Sequence, residues 1–304
     1  MDSSGSTLTF STRMMPFTAI LRHELRSLWS SWLVRLWLIA TGLLTLLILA
    51  SNWAAKPTAD LIGWMLFPYL VFPWFLVVMI LGISPVTGTR LDALADGILS
   101  RPVTRFEYLL ASWAARVVMV LVIFLVVIVT AILMVAFAER PPSEGEVKVT
   151  LYGVVGALFV VGLVLTFLVS LGFLTGTLLR RPLVAAVILI FVWLPINFVL
   201  DSFSLEEFSP TSLNRVLPTL LTTTWRTHET DTEEAAEPLD PDAKARQFAL
   251  DVLSGKWAPA AKPEEQDFFK HAEDFSLIRV TLGYGLPTLG AIGLAMLCFC
   301  WRDL

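Results

Sequence analysis

Six stretches of this chain are each apolar for long enough to cross a bilayer, and that constrains its fold more than anything else in the sequence. They cover residues 33–49, 61–83, 109–137, 151–179, 183–200 and 277–301. A hydrocarbon core about 30 Å thick requires about 20 apolar residues in a helix. The first stretch is the shortest, and Arg35 interrupts it at its third residue, close enough to an edge for its guanidinium to snorkel. Composition agrees: the chain is 56% hydrophobic and only 16% charged, whereas soluble domains carry about 25% charged residues. No small-residue cleavage site follows the first apolar run, so no cleaved leader is expected. The fold class expected is an all-α membrane protein with six transmembrane helices, one polytopic domain over 1–304.

Basic residues set the orientation. Arg13, Arg22 and Arg26 precede the first stretch. Arg90, Arg101 and Arg105 lie between the second and third, Arg180 and Arg181 between the fourth and fifth, and Arg302 after the sixth. With six spans all of these fall on one side, which the positive-inside rule makes cytoplasmic. Both termini are expected there too. The largest loop on the other side, 201–276, holds sixteen acidic and seven basic residues, a net charge of −9. Acidic residues weigh little in the rule, so this loop is consistent with an outside location.

Two segments outside the spans are amphipathic. In 85–108, the residues Leu91, Leu94, Ala95, Ile98 and Leu99 form one apolar stripe at helical spacing. Pro102 ends that short helix, and Thr104 with Glu107 has the capping-box spacing that would start the next. Such a helix either lies on a membrane surface or docks into a groove on a soluble partner. The second segment, 16–32, follows a polar stretch 1–15 expected to be flexible. It places Phe17, Ile20, Leu21, Leu25, Leu28, Trp29 and Trp32 on one face, opposite Arg22, His23, Arg26, Ser27 and Ser30. Pro16 suits a first helical position. A basic, Trp-rich amphipathic helix is expected to lie in the membrane interface.

These two segments carry a family resemblance. RHELRSLWSSWLVRLWLI, with Glu24-Leu25 followed by Arg26, resembles the elbow helix that leads into the first span of ABC transporter type-2 permeases. DALADGILSRPVTRFEYLL is similar to that family's cytoplasmic segment between spans two and three. Asp92, Gly97-Ile98-Leu99 and Ser100-Arg101-Pro102-Val103-Thr104-Arg105 hold the matching positions. Ile98 stands where the family has Thr, and Ser112 or Trp113 where it often has Lys. The terminal WRDL, with Arg302 and Asp303, resembles the family's short tail after span six. The resemblance implies a permease subunit, an exporter by the leaning of the family, paired with a second permease copy or a related one. It also implies a separate ATP-binding subunit, against which the segment between spans two and three would act as a coupling helix. The contact residues so implied are Leu91, Asp92, Leu94, Ala95, Ile98, Leu99, Arg101 and Arg105, with Glu24 on the elbow helix. No G-x-x-x-x-G-K-[S/T] loop occurs, and the Gly-Lys at Gly255-Lys256 is followed by Trp257. The chain is therefore expected to be no enzyme and to bind no cofactor, with ATP held by its partner.

Polar features inside the spans are few. Arg116, about two turns into the third, is expected to snorkel toward the cytoplasm. Asn197 either lines a pathway or bonds a neighbouring helix. Pro68, Pro73 and Pro195 invite kinks that would shape the bundle or serve gating. Gly172-x-x-x-Gly176 permits close helix approach. The spans hold no cluster of acids, which argues against an ion-coupled carrier.

In the outer loop, Ser209-Pro210 reads as the start of a helix through Leu213, Val216 and Leu217 that Pro218 kinks or ends. An acidic linker follows, and two further helices are expected, over 240–255 and 263–273. Their apolar faces would pack on the protein itself or dock an extracytoplasmic partner. Cys298 and Cys300 point to different sides of a helix, and His23, His228 and His271 have no ligand spacing. No metal is expected. Lipids, an ATP-binding subunit and a second permease are the expected partners, with no nucleic acid among them, in a cell or inner membrane. The competing readings are an ion-coupled carrier or channel, and a membrane subunit that senses or binds a partner without transporting.

Overall fold

The computed structural model describes residues 10–70, 74–83, 104–138, 149–179, 181–202, 209–222 and 277–302. All regular structure among them is helical, in the order α1 (Phe10–Ser30), α2 (Trp32–Asn52), α3 (Thr58–Leu70), α4 (Trp74–Ile83), α5 (Arg105–Phe137), α6 (Leu151–Leu178), α7 (Pro182–Ser202), α8 (Pro210–Thr222) and α9 (Leu277–Arg302).

Four helices, α2, α5, α6 and α9, are long and apolar enough to cross a membrane. The expected second span is divided between α3 and α4, which are inclined at 41° to one another. Pro68, within α3, lacks the N–H that would continue the helical ladder. Counted as one span, the pair makes five. The expected fifth span falls in α7, whose apolar stretch Leu183–Asn197 is shorter than a full crossing.

The helix α6 organises the bundle. It touches α3, α4, α5, α7, α8 and α9, and half of its apolar window is buried. Small residues make this possible. A Cβ on Gly172 would fall onto the Met79 carbonyl oxygen, one on Gly82 would lie 2.5 Å from the Val169 oxygen, and one on Gly176 would lie 2.7 Å from the Ile83 oxygen. The α4–α6 crossing is thus backbone against backbone, the close approach that the Gly172/Gly176 spacing permits. Aromatic pairs fill the wider gaps: Tyr69 meets Phe124 edge-on at 4.9 Å, and Phe167 meets Trp193 at 5.9 Å and Tyr284 at 5.6 Å.

The first helix begins earlier than expected. Pro16 is the seventh residue of α1 rather than its first, and the helix starts at Phe10. A proline there forfeits one backbone bond near a helix end, which water or headgroups can replace. The break before α2 falls at Ser31, with Arg35 Nε donating back to the Trp29 carbonyl at 3.1 Å.

Beyond α7, the helix α8 packs on the protein's own surface. Leu213, Leu217, Leu220 and Leu221 are buried against α3 and α6. Pro218 neither ends nor detaches it. The helix continues through that residue to Thr222, with the Pro218 ring seated on Gly63. The two other outer helices expected, over 240–255 and 263–273, lie outside the described residues.

Candidate functional site at the junction of α1, α4 and α5

The structure assembles a cluster of interactions where the sequence placed its most informative segment, between the end of α4 and the start of α5. The start of α5 is fixed by Thr104. Its hydroxyl accepts from the Glu107 N–H at 3.2 Å, and its own N–H donates to Glu107 Oε2 at 3.1 Å. This is the capping box expected from the spacing, and it satisfies two backbone donors reciprocally. The long helix therefore begins three residues after Pro102, with Arg105 as its first residue.

About two turns further, Trp113 Nε1 donates to Ser170 Oγ of α6 at 3.0 Å, and Ser170 donates in turn to the Thr166 carbonyl at 2.8 Å. Leu109 and Phe173 share a buried cluster with Ala295 and Phe299 of α9, and Trp113 packs against it. Trp113 thereby ties α5 to α6.

Arg116 contradicts its expectation. It does not snorkel out: its side chain is 3% exposed, and Nη2 lies 3.6 Å from Glu24 Oε2 of α1, itself 12% exposed. Nη1 donates to the Ser112 carbonyl and, at 2.6 Å, to Ser112 Oγ. The geometry of α5 explains the burial. Its 33 residues extend about 50 Å at 1.5 Å per residue, well beyond a hydrocarbon core of about 30 Å. Arg116 is the twelfth of those residues, and there α1 lies against α5 and closes the route to water. Leu28 of α1, Leu81 of α4 and Met119 and Val120 of α5 complete the wall around the guanidinium, in a gap too narrow for a water molecule.

The face of α1 that packs inward holds Phe17, Ile20, Leu21, Glu24, Leu25 and Leu28, while Arg22, His23 and Arg26 are exposed. Glu24 is thus the single acid on a packed apolar face. Trp29 and Trp32, expected on that face, are 50% and 74% exposed, on the side left for lipid. The sequence carried a signal for the ion pair: an acid at a stripe position demands a cation, and Arg116 of α5 supplies it.

Of the other site residues, Leu91, Asp92, Leu94, Ala95, Ile98, Leu99 and Arg101 lie outside the described residues, as does Pro73. Pro68 is buried in α3, and Pro195 lies within α7 on an exposed face. Asn197 Nδ2 donates to the Trp193 carbonyl of its own helix at 2.9 Å. No group of three or more His, Cys, Asp or Glu side chains among the described residues could hold a metal ion. Cys298 is a free thiol.

Among curated proteins none matches the chain. A family profile described as ABC-2 family transporter protein matches residues 97–303.

Proposed function

Because this chain belongs to the ABC-2 family of transporter proteins, we propose that it is a six-span permease that exports its cargo on the energy of a separate ATP-binding subunit. The multi-pass membrane permease itself follows from the family and the apolar helices. The direction, the partner and the count of six are the reading added here. On this reading the broken α3–α4 pair is span two and α7 is span five. The 84–103 segment and both termini face the cytoplasm, in a cell or inner membrane, and α8 with the rest of 201–276 lies outside. Two permease copies, identical or related, enclose the path. Leu91, Asp92, Leu94, Ala95, Ile98, Leu99, Arg101 and Arg105 face the ATP-binding subunit, with Glu24 on the adjoining elbow helix. Pro68, Pro73, Pro195 and Asn197 are the positions where the path could bend or be lined. The outer loop remains the place for an extracytoplasmic partner.

One observation carries this reading. The family match begins at Gly97, inside the amphipathic segment, and runs through α9, so it includes the transition into span three that the Thr104–Glu107 cap fixes. The test is to purify the chain in mild detergent from its native membrane and identify what accompanies it. A subunit with a phosphate-binding loop is expected, and Leu94→Asp or Ile98→Asp should release it, because charge is depleted at the core of an interface. Retention of that subunit by both variants, with ATP hydrolysis intact, would reduce the segment to a surface helix. Movement of cargo on an ion gradient without any such subunit would favour a carrier.

A further inference from the structure

Two charged side chains packed between apolar helices are an expensive way to join them. An apolar pair of similar volume often serves stability as well or better, whereas removing one partner leaves a buried charge that is strongly destabilising. A buried ion pair does offer register. Apolar surfaces slide and rotate past one another at small cost, but a carboxylate has one place to go. Glu24 and Arg116 are set out in this way. Ser112 holds Nη1 through its carbonyl and its hydroxyl, which aims the guanidinium at α1 before Glu24 arrives. Glu24 lies between Leu21 and Leu28 on the packed face of α1, so its ion pair with Nη2 fixes both the rotation of α1 and its position along α5.

The location of the pair gives that register a use. Leu81 of α4 borders the same gap as Arg116, two residues before the end of that helix at Ile83. On the other side, Arg116 is three turns from the Thr104 cap that starts α5. The elements that enter and leave the 84–103 segment therefore both contact the pair, and α1 closes over it.

We propose that Glu24 and Arg116 are positioning residues for energy coupling: their ion pair sets how α1 seats on α5 beside the end of α4, the two helices that flank residues 84–103. Glu24 then serves the ATP-binding subunit from behind, through Arg116 and span three. The inference rests on the permease reading above.

The variant that tests it is Glu24→Met/Arg116→Met, which removes both charges and leaves no buried charge alone, so folding is retained. Arg116→Met by itself should lower the yield of folded protein. Two readouts follow in a background with Cys298 and Cys300 replaced by Ser: the rate at which a short bifunctional thiol reagent links Leu28→Cys to Val120→Cys, and ATP hydrolysis per bound ATP-binding subunit. In the double-Met variant that subunit should still co-purify. Both rates should fall by about fivefold or more, the lower end of coupling between distinct sites. Glu24→Asp, which keeps the charge on a shorter arm, should recover more of both than Glu24→Gln. Double-Met protein that cross-links and hydrolyses ATP at wild-type rates would overturn the proposal and leave the pair as mutual neutralisation. Wild-type protein that purifies without an ATP-binding subunit would instead sink the permease reading and with it the coupling role. The cross-linking rate would still report whether the pair seats α1.

Discussion

Gly172→Ala should be the most costly single methyl group that can be added to this protein. The added carbon would fall onto the Met79 carbonyl oxygen, and Gly82 Cα lies 3.2 Å from the same point. Both obstacles are backbone, so no side chain can swing aside, and ordinary carbon contacts need about 3.5 Å or more. The helices α4 and α6 must then part by about 1 Å along a crossing that also includes Gly82 against the Val169 oxygen and Gly176 against the Ile83 oxygen. Inserting a methyl into a well-packed site costs roughly 1–3 kcal/mol, and the lost contact along the crossing places Gly172 at the upper end. A chain of this size loses about 2 °C in melting temperature per kcal/mol, so a fall of roughly 4–6 °C is expected. The assay is intrinsic tryptophan fluorescence during heating in detergent, for which the eleven tryptophans supply ample signal. Gly42→Ala, Gly285→Ala and Gly290→Ala are the controls, because a Cβ at those positions meets nothing within 4 Å. Each exchange also adds helix propensity worth up to about 1 kcal/mol, so the controls should melt at or above the wild-type temperature. A Gly172→Ala protein that melts with the controls would refute the backbone-on-backbone crossing.

Thr104→Ala removes the hydroxyl that caps α5 and should cost about 1 kcal/mol, seen as faster amide exchange confined to the first turn after residue 104, with later turns unaffected. Trp113→Phe keeps the ring in its cluster but loses the bond to Ser170, and should lower the melting temperature by an amount equivalent to about 1 kcal/mol; an unchanged value would mean Ser170 is served by the Thr166 carbonyl alone. Arg101→Cys should react with an impermeant thiol reagent only in inverted vesicles and Glu234→Cys only in intact cells, and labelling of position 101 from outside would contradict the six-span topology.

The long apolar runs made the class of fold legible, because nothing but length and composition is needed to recognise a span. The cap at Thr104 was equally legible, since a capping box involves residues three apart and its geometry is local. Bends were harder. Pro68 and Pro73 announced a weak point in the second span, yet whether a proline bends a helix depends on its neighbours: Pro218 stays within α8, where the ring rests on Gly63. Least legible were contacts across helices. Glu24 stood visibly at a stripe position, and Arg116 had an ordinary reading as a snorkelling side chain. Only the length of α5 and the position of α1 against it turn those two facts into one buried pair. The bond between Trp113 and Ser170 spans 57 residues and left no periodic trace at all.

The same contacts explain why α6 is the helix that bears on both ends of the molecule. It runs 28 residues, about 42 Å at 1.5 Å per residue, without a proline. In contrast α3, α7, α8 and α9 each contain one beyond the first residue. A helix without such a break moves as a rod, whereas the others can absorb displacement at their prolines. Near one end the rod is held to α4 through Gly172 and Gly176 and to α5 through Ser170. At its other end Thr150 donates its N–H to the Leu221 carbonyl of α8 at 3.1 Å, and a Cβ on Gly153 would sit 2.5 Å from the Leu220 and Leu221 oxygens. The attachments to α4 and α8 leave little room for slip, because each is backbone against backbone or a hydrogen bond to backbone. Any tilt imposed where α4 and α5 meet the 84–103 segment must therefore reach α8, or else break one of these contacts.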